Sequence, residues 1–349
     1  MIKNIKNIYW MMAYAFRNLN ETLIEEKVKY EEFDNIYDLL CVMLTQGISK
    51  QLKRGLNKEY ILQNELLQSI KGRIDISKSI KMNTLKDKKM YCEFDEYNEN
   101  TYMNKIIKTA ALALIRSNKI KERARQKELK KILFYLNEVS VIKKRDIKWD
   151  NLTYNTNNKT YKILISISYL ILEGLIINNK NGEEEFLETL DDQKMYKLYE
   201  KFILEYYRYH YQELSAKASQ IEWKIEDKTK KGKLPKMQSD TILTYQNKEL
   251  IIDAKYYSKI LQENSMFKKQ TIRNANLYQI FTYVKNRDIK NDGRISGMLL
   301  YAKTYEDDIG WEEHKIDGNT IVVTFLDLEQ DFEDVKKQLN KIAEWFTSC

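Results

Sequence analysis

The stretch SDTILTYQNKELIIDAKYY (239–257) sets three ionisable groups among strand-forming residues: Asp240 near its start, Asp253 and Lys255 near its end. Carboxylates in a buried hairpin are costly unless their charge is used. With a two-residue turn at Gln246-Asn247, Tyr245 pairs with Lys248 and Asp240 lies opposite Asp253. With the turn at Asn247-Lys248, Asp240 faces Lys255 instead. In either register the facing side chains come within about 4.5–5.5 Å, or about 7–8 Å on the diagonal. Asp253 and Lys255 share a strand face, while Ala254 points the other way. Two carboxylates so close repel, and one keeps its proton unless a cation intervenes. A hard divalent ion such as Mg²⁺ takes carboxylate oxygens, keeps waters and accepts phosphate oxygens. Such an ion lowers the pKa of a bound water, and Lys255 is placed to orient that water or offset developing charge. The set suits hydrolysis of a phosphodiester. The plainer reading is an exposed hairpin whose charges are only solvated. The apolar run ELII leading directly into Asp253 favours the end of a buried sheet instead.

Elements able to hold that hairpin follow from the hydrophobic period. DDQKMYKLYEKFILEYYRYHYQEL (191–214) repeats at helical spacing from an acidic start, which suits the helix dipole. QIEWKIED (220–227) alternates like a strand, KTKKGKLPK (228–236) reads as a loop, and a helix is expected across 266–285. RISGMLLYA (294–302) and TIVVTFL (320–326) read as strands, and EQDFEDVKKQLNKIAEWF (329–346) as a closing amphipathic helix. That order predicts an α/β domain around a mixed central sheet flanked by helices. Upstream, helices are expected over 5–18 and 34–54, with short strands around Gly72 within 60–77. Residues 89–118 read as strand, turn and helix with Asn100 or Thr101 as N-cap, and 123–139 as a basic amphipathic helix. The apolar run 161–177 reads as a buried helix, since it is short for a bilayer and interrupted by serines and Glu173. The N-terminal part is thus a mixed α+β domain of short strands and helices. NNKNGEEE (178–185) is the best linker, dividing the chain into domains 1–185 and 186–349.

A chain of 349 residues with 43% hydrophobic content can bury two cores. The formal charge of +8 is unevenly placed. Residues 101–150 hold 14 Lys and Arg against 5 Asp and Glu, residues 201–300 hold 19 against 11, and the last 49 hold 5 against 12. Two basic zones point to a polyanion, although a lysine-rich composition gives a similar pattern. Cys41, Cys92 and Cys349 have neither metal nor disulfide spacing, which suits free thiols in a reducing cytoplasm. Two histidines, His210 and His314, exclude a histidine-rich metal site. No G-x-x-x-x-G-K-[ST] loop is present, so no P-loop nucleotide hydrolysis is expected of this chain. The N-terminus MIKNIKNIYW lacks the apolar core of a signal peptide, and no membrane segment is expected.

The hairpin resembles the PD-(D/E)xK nuclease superfamily, with Asp240 as the first motif residue and Asp253-Ala254-Lys255 as the second; Ser239 stands in place of the proline. Gln279 and Tyr283 fit the Q-x-x-x-Y motif of its RecB-like branch. Six phrases in family order resemble the McrC family: IYWMMAYAF (8–16), KGRIDISKSI (71–80), CEFDEYNENTYMNKIIKTAALAL (92–114), LYEKFILEYY (198–207), IIDAKYY (251–257) and NLYQIFTYV (276–284).

The resemblance implies a C-terminal PD-(D/E)xK endonuclease domain and an N-terminal region that docks on a hexameric AAA+ GTPase of McrB type and stimulates it. GTP is then bound by the partner, which directs double-strand cleavage of DNA at modified cytosines. It implies Asp240, Asp253 and the Ala254 carbonyl as ligands to Mg²⁺, with Mn²⁺ as a substitute, and Lys255 as the catalytic lysine. Gln279 would orient the site or DNA, although Tyr283 is equally explained by core packing. Glu200, with Glu205 as the alternative, would be the carboxylate added from the preceding helix; surface helices also carry such glutamates for solvation alone. Two other readings stand beside this one: an autonomous RecB-like DNA nuclease, and a GTPase-activating adaptor that does not cut.

Overall fold

The computed structural model describes residues 5–15, 33–156, 158–178, 184–186, 192–225, 233–257, 261–264, 269–303 and 310–348. Residues Met1–Ile36 and Leu187–Cys349 cluster as one compact unit, and Tyr37–Phe186 as a second. A single cut at 185 therefore misplaces the N-terminal segment. Helix α1 (Lys6–Ala15) is apolar on nearly every side, so it must be covered all round. It packs in the unit that contains the C-terminal residues, where Asn7 Nδ2 donates to the carbonyls of Leu328 and Gln330, both at 2.8 Å.

The Tyr37–Phe186 unit is built on α2 (Ile36–Arg54), β1 (Glu59–Leu67), β2 (Arg73–Ile74), α3 (Ile76–Lys81) and β3 (Met90–Asn98). It continues through α4 (Tyr102–Arg116), α5 (Arg123–Leu133) and α6 (Tyr161–Tyr169) to β4 (Ile176–Asn178) and β5 (Glu184–Phe186). Thr101 caps α4, its side chain accepting from Asn104 N. The apolar helix continues past Tyr169 as a π-helical turn, Leu170–Gly174. The expected linker is not a plain connection: β4 and β5 pair antiparallel across it, Ile176 with Phe186, and residues 179–183 lie outside the described set. Strands β1 and β3 run antiparallel for nine residues with β2 beside them. This sheet leaves large apolar side chains in solvent, including Tyr60 (75% exposed), Leu62 (64%) and Tyr97 (58%).

The other unit continues with α7 (Asp192–His210), β6 (Gln220–Ile221), β7 (Met237–Gln238), β8 (Thr241–Tyr245), β9 (Lys248–Tyr256), β10 (Leu261–Asn264) and β11 (Lys269–Ile272). It closes with α8 (Asn274–Arg287), β12 (Ile295–Lys303), β13 (Glu312–Ile316), β14 (Asn319–Asp327) and α9 (Phe332–Ser348). A five-stranded mixed sheet in the order β13-β14-β12-β9-β8 forms its centre. Its three central strands β9, β12 and β14 are parallel, and β8 and β13 are antiparallel edges. Ile251, Leu299, Tyr301, Ile321 and Val323 share a core with Ile280 and Val284 of α8. The alternate residues Ile252, Ala254, Leu300 and Val322 are buried as well, which makes the central strands continuously apolar, as a two-sided layer requires. On that side Tyr199 of α7 donates to Leu300 O.

Several expected bounds move. QIEWKIED contributes only Gln220–Ile221 to a strand, and α8 begins at Asn274 rather than 266, because Lys269–Ile272 pairs with Leu261–Asn264 as a hairpin. Strand β13, EEHKI, escapes the reading because an exposed polar edge carries no hydrophobic alternation. Most of the loop 228–236 lies outside the described residues. Cys41 and Cys92 are buried free thiols. No helix among the described residues is long and apolar enough to cross a membrane.

Candidate active site

The turn falls at Gln246-Asn247, with Gln246 in the left-handed region (φ 53°), and Tyr245 pairs with Lys248. Of the two registers open to the sequence, the structure selects the one that brings Asp240 opposite Asp253. The β8–β9 ladder ends at Thr241 and Ile252. One residue further, Asp240 Oδ2 accepts a hydrogen bond from Ala254 N at 2.8 Å. The aspartate side chain thus takes over where the strand stops, which fixes its direction at the sheet edge.

Asp253 and Lys255 lie at the C-terminal end of β9, 1% and 4% exposed, where open α/β sheets hold their ligands. Lys255 Nζ is 2.8 Å from Asp253 Oδ2 as an ion pair. One ammonium contact leaves this buried carboxylate with further lone pairs for coordination. Lys255 Nζ also donates to Gln279 Oε1 at 2.9 Å, and Gln279 Nε2 donates to Tyr283 OH at 2.9 Å. The i, i+4 pair on α8 therefore has one job for each end of the amide. Tyr283 is in the core as well, so packing and orientation are served by one side chain.

Glu200, on α7, hydrogen-bonds with both Asp240 and Tyr196. Glu205, the alternative, is instead committed to Arg208, whose Nη1 donates to its Oε1 at 2.7 Å. Tyr196 was not singled out by the sequence, yet it stands one turn before Glu200 with its ring about 6.0 Å from Lys255 Nζ. The i, i+4 spacing of Tyr196 and Glu200 in YKLYE is the signal that finds it.

Electrostatics agree with a site short of positive charge. Burial, then the charges of Asp253 and Glu200, push the Asp240 carboxyl up to about 8. Burial also raises Asp253 and Glu200. A hydrogen bond between Asp240 and Glu200 requires a proton on one of them. Burial pulls Lys255 down, but Asp253 beside it outweighs burial and leaves the ammonium above its usual range.

The donors present are hard oxygens, with the buried Asp253 carboxylate among them, and they fit a divalent cation of the Mg²⁺ type. Among the described residues no three Asp, Glu, His or Cys side chains gather as a ready-made metal cage. A cation here would draw on two carboxylates, with a backbone carbonyl, waters and substrate oxygens completing its shell. That is the usual habit of Mg²⁺.

A family model described as McrBC 5-methylcytosine restriction system component matches residues 3–302. The type IV methyl-directed restriction enzyme EcoKMcrBC of Escherichia coli (strain K12) is 28% identical over 344 residues, 97% of each chain. The refined half-complex from the tetradecameric assembly of Thermococcus gammatolerans McrB AAA+ hexamers with bound McrC contains a similar structure, with TM-score 0.52 and 14% identity. The likeness covers 98% of this chain and 76% of that one, and at such identity it speaks for the fold.

Proposed function

Because the chain belongs to the McrBC 5-methylcytosine restriction system component family, we propose that it is the DNA endonuclease subunit of a modification-directed restriction complex. In this reading it cuts double-stranded DNA at the Asp240–Asp253–Lys255 site after docking on a McrB-type AAA+ GTPase that it stimulates. The observation that carries the reading is the buried meeting of two facing carboxylates and one lysine at the end of the central strand. Such a set weakens a fold, and buried titratable groups perturbed in this way gather at functional sites. The exposed apolar sheet of β1 and β3 supports partner docking by the Tyr37–Phe186 unit, since apolar patches of this kind mark protein interfaces.

Asp240, Asp253 and the Ala254 carbonyl are the groups we assign to Mg²⁺, with Mn²⁺ as substitute; when bound, the ion supplies Lewis-acid activation of the phosphodiester. Lys255 stays charged at neutral pH, held by Asp253 on one side and Gln279 on another. Its remaining N–H is free of these two partners to orient the attacking water or contact the scissile phosphate. Gln279 keeps its oxygen toward Lys255 because Tyr283 takes its amide N–H. Glu200 shares a proton with Asp240 and can receive it when the site ionises.

Gln279→Leu, of similar volume, is expected to slow cleavage about 10–100-fold, the usual loss when an orienting partner of a site is removed. Tyr283→Phe should cost less, because the ring stays in the core. Cleavage rates under single-turnover conditions separate the two; equal loss in both would assign the effect to the Tyr283 hydroxyl that orients Gln279, and an unchanged rate in Gln279→Leu would remove Gln279 from the site.

The reading itself is tested by incubating methylated duplex DNA with the chain, a McrB-type AAA+ protein encoded with it, GTP and Mg²⁺. Double-strand breaks should require all four and vanish with EDTA. Breaks without the AAA+ protein would favour the autonomous nuclease. Faster GTP turnover with intact DNA would favour the adaptor.

A further inference from the structure

A groove of about 960 Å³ lies between the C-terminal half of α4, residues 141–149, and the end of α6 with its π-helical turn. The proposed cleavage chemistry does not use it. Its floor is apolar, with Leu112, Ala113 and Ile142, and its rim carries Arg116, Lys143 and Arg145. Glu173 is the one acid among the lining residues. It is already committed, accepting from Trp149 Nε1 at 3.2 Å and lying 3.8 Å from Lys144 Nζ. Arg116 and Lys143 are exposed and form no ion pair among the described residues.

The walls are fixed before anything binds. Lys108 Nζ donates to the carbonyls of Leu136 at 2.7 Å and Val139 at 2.6 Å, and Ile142 N donates to Thr109 Oγ1 at 3.1 Å. The Trp149 ring stands edge-on to Tyr169 with centroids 5.0 Å apart. A preformed site spares its ligand the cost of ordering it. A duplex backbone offers phosphates on a convex surface and nothing to fill an apolar floor. A peptide segment with an apolar anchor between acidic residues satisfies both floor and rim.

We propose that this groove docks an acidic segment with an apolar anchor, contributed by the AAA+ partner. The inference rests on the proposed function for the class of that partner, and deepens it by locating part of the contact. Arg116→Glu/Lys143→Glu reverses two rim charges and should weaken the affinity of the full chain for the McrB-type AAA+ protein about tenfold or more in titration calorimetry. Fluorescence anisotropy with a 40-base-pair duplex should be unchanged. Both substitutions are at exposed positions, and an unchanged melting temperature confirms folding. Undiminished partner affinity in the variant overturns the inference and leaves the proposed function standing. Lost duplex binding with partner affinity retained overturns it in favour of a nucleic-acid groove. Failure of the wild-type chain to bind the AAA+ protein at all is a failure of the proposed function instead.

Discussion

Asp253→Asn is expected to lower DNA cleavage about 10²–10³-fold or more while leaving the AAA+ partner bound. The substitution keeps the side chain's volume and removes its charge. Asp253 contributes twice: its buried carboxylate has further lone pairs for a cation, and its Oδ2 holds the Lys255 ammonium at 2.8 Å. Losing one preorganised electrostatic group costs about 2.7–4 kcal/mol of transition-state stabilisation, and here two functions fail together. The distinguishing measurement pairs a single-turnover cleavage rate with partner binding on the same preparation. Cleavage at the wild-type rate would sink the site assignment. Loss of both cleavage and binding would point to unfolding around an unpaired Lys255, because removing one partner of a buried pair is itself destabilising.

Asp240→Asn should have an effect of opposite sign on stability. In the protein freed of divalent ions, the Asp240 carboxyl titrates at about 8 against an ordinary 3.8. The folded state therefore holds more protons than the unfolded chain between those values, and stability falls as pH rises through that window. Asp253 and Glu200, also raised by burial, work in the same direction. His210, lowered by burial, works the other way and gains stability as pH rises toward its usual 6.5. Asp288 is held below the usual range despite burial, mainly by hydrogen bonds from Asn319 and from backbone N–H groups. Its contribution fades only in acid, below the window. Comparing wild type with Asp240→Asn cancels His210 and Asp288, which are not among the groups that shift Asp240. In EDTA at pH 8 the variant should melt higher than wild type, with the gap narrowing as pH falls toward 3.8. Mg²⁺ should raise the wild type most at pH 8 and the variant little, because metal binding displaces protons. A variant that melts lower than wild type at pH 8 would mean that the Ala254 N–H contact outweighs the buried charge.

The two expectations describe one compromise. Three acids and one lysine at a sheet end weaken the metal-free fold, and removing the Asp240 charge should strengthen it at the expense of the chemistry. Natural sites commonly carry such a cost.

Much of this site is legible in the spacing of its residues. The Gln246-Asn247 turn, the period-2 runs around it and the two-residue spacing of Asp253 and Lys255 place the triad on one hairpin, because strand geometry leaves few other options. The i, i+4 spacing of Gln279 and Tyr283 gives their shared helical face in the same way. Long amphipathic helices such as α7 and α9 were legible for the same reason, since their apolar stripe repeats over several turns.

Tertiary structure alone decided the rest. Sequence allowed Asp240 to face either Asp253 or Lys255; pairing of Thr241 with Ile252 chose the former. Glu200 and Glu205 are equally acidic on one helix, and only the packing of α7 turns Glu200 toward Asp240 and gives Glu205 to Arg208. Short or polar elements, β13 above all, carry no periodic signal because they face solvent and pair only at an edge. The placement of α1 with the C-terminal residues was equally hidden, since an all-apolar helix announces that it is buried but not against what. Local spacing is written into the chain by covalent geometry, whereas the choice among partners far apart in sequence is made by the shape of the surfaces that pack together.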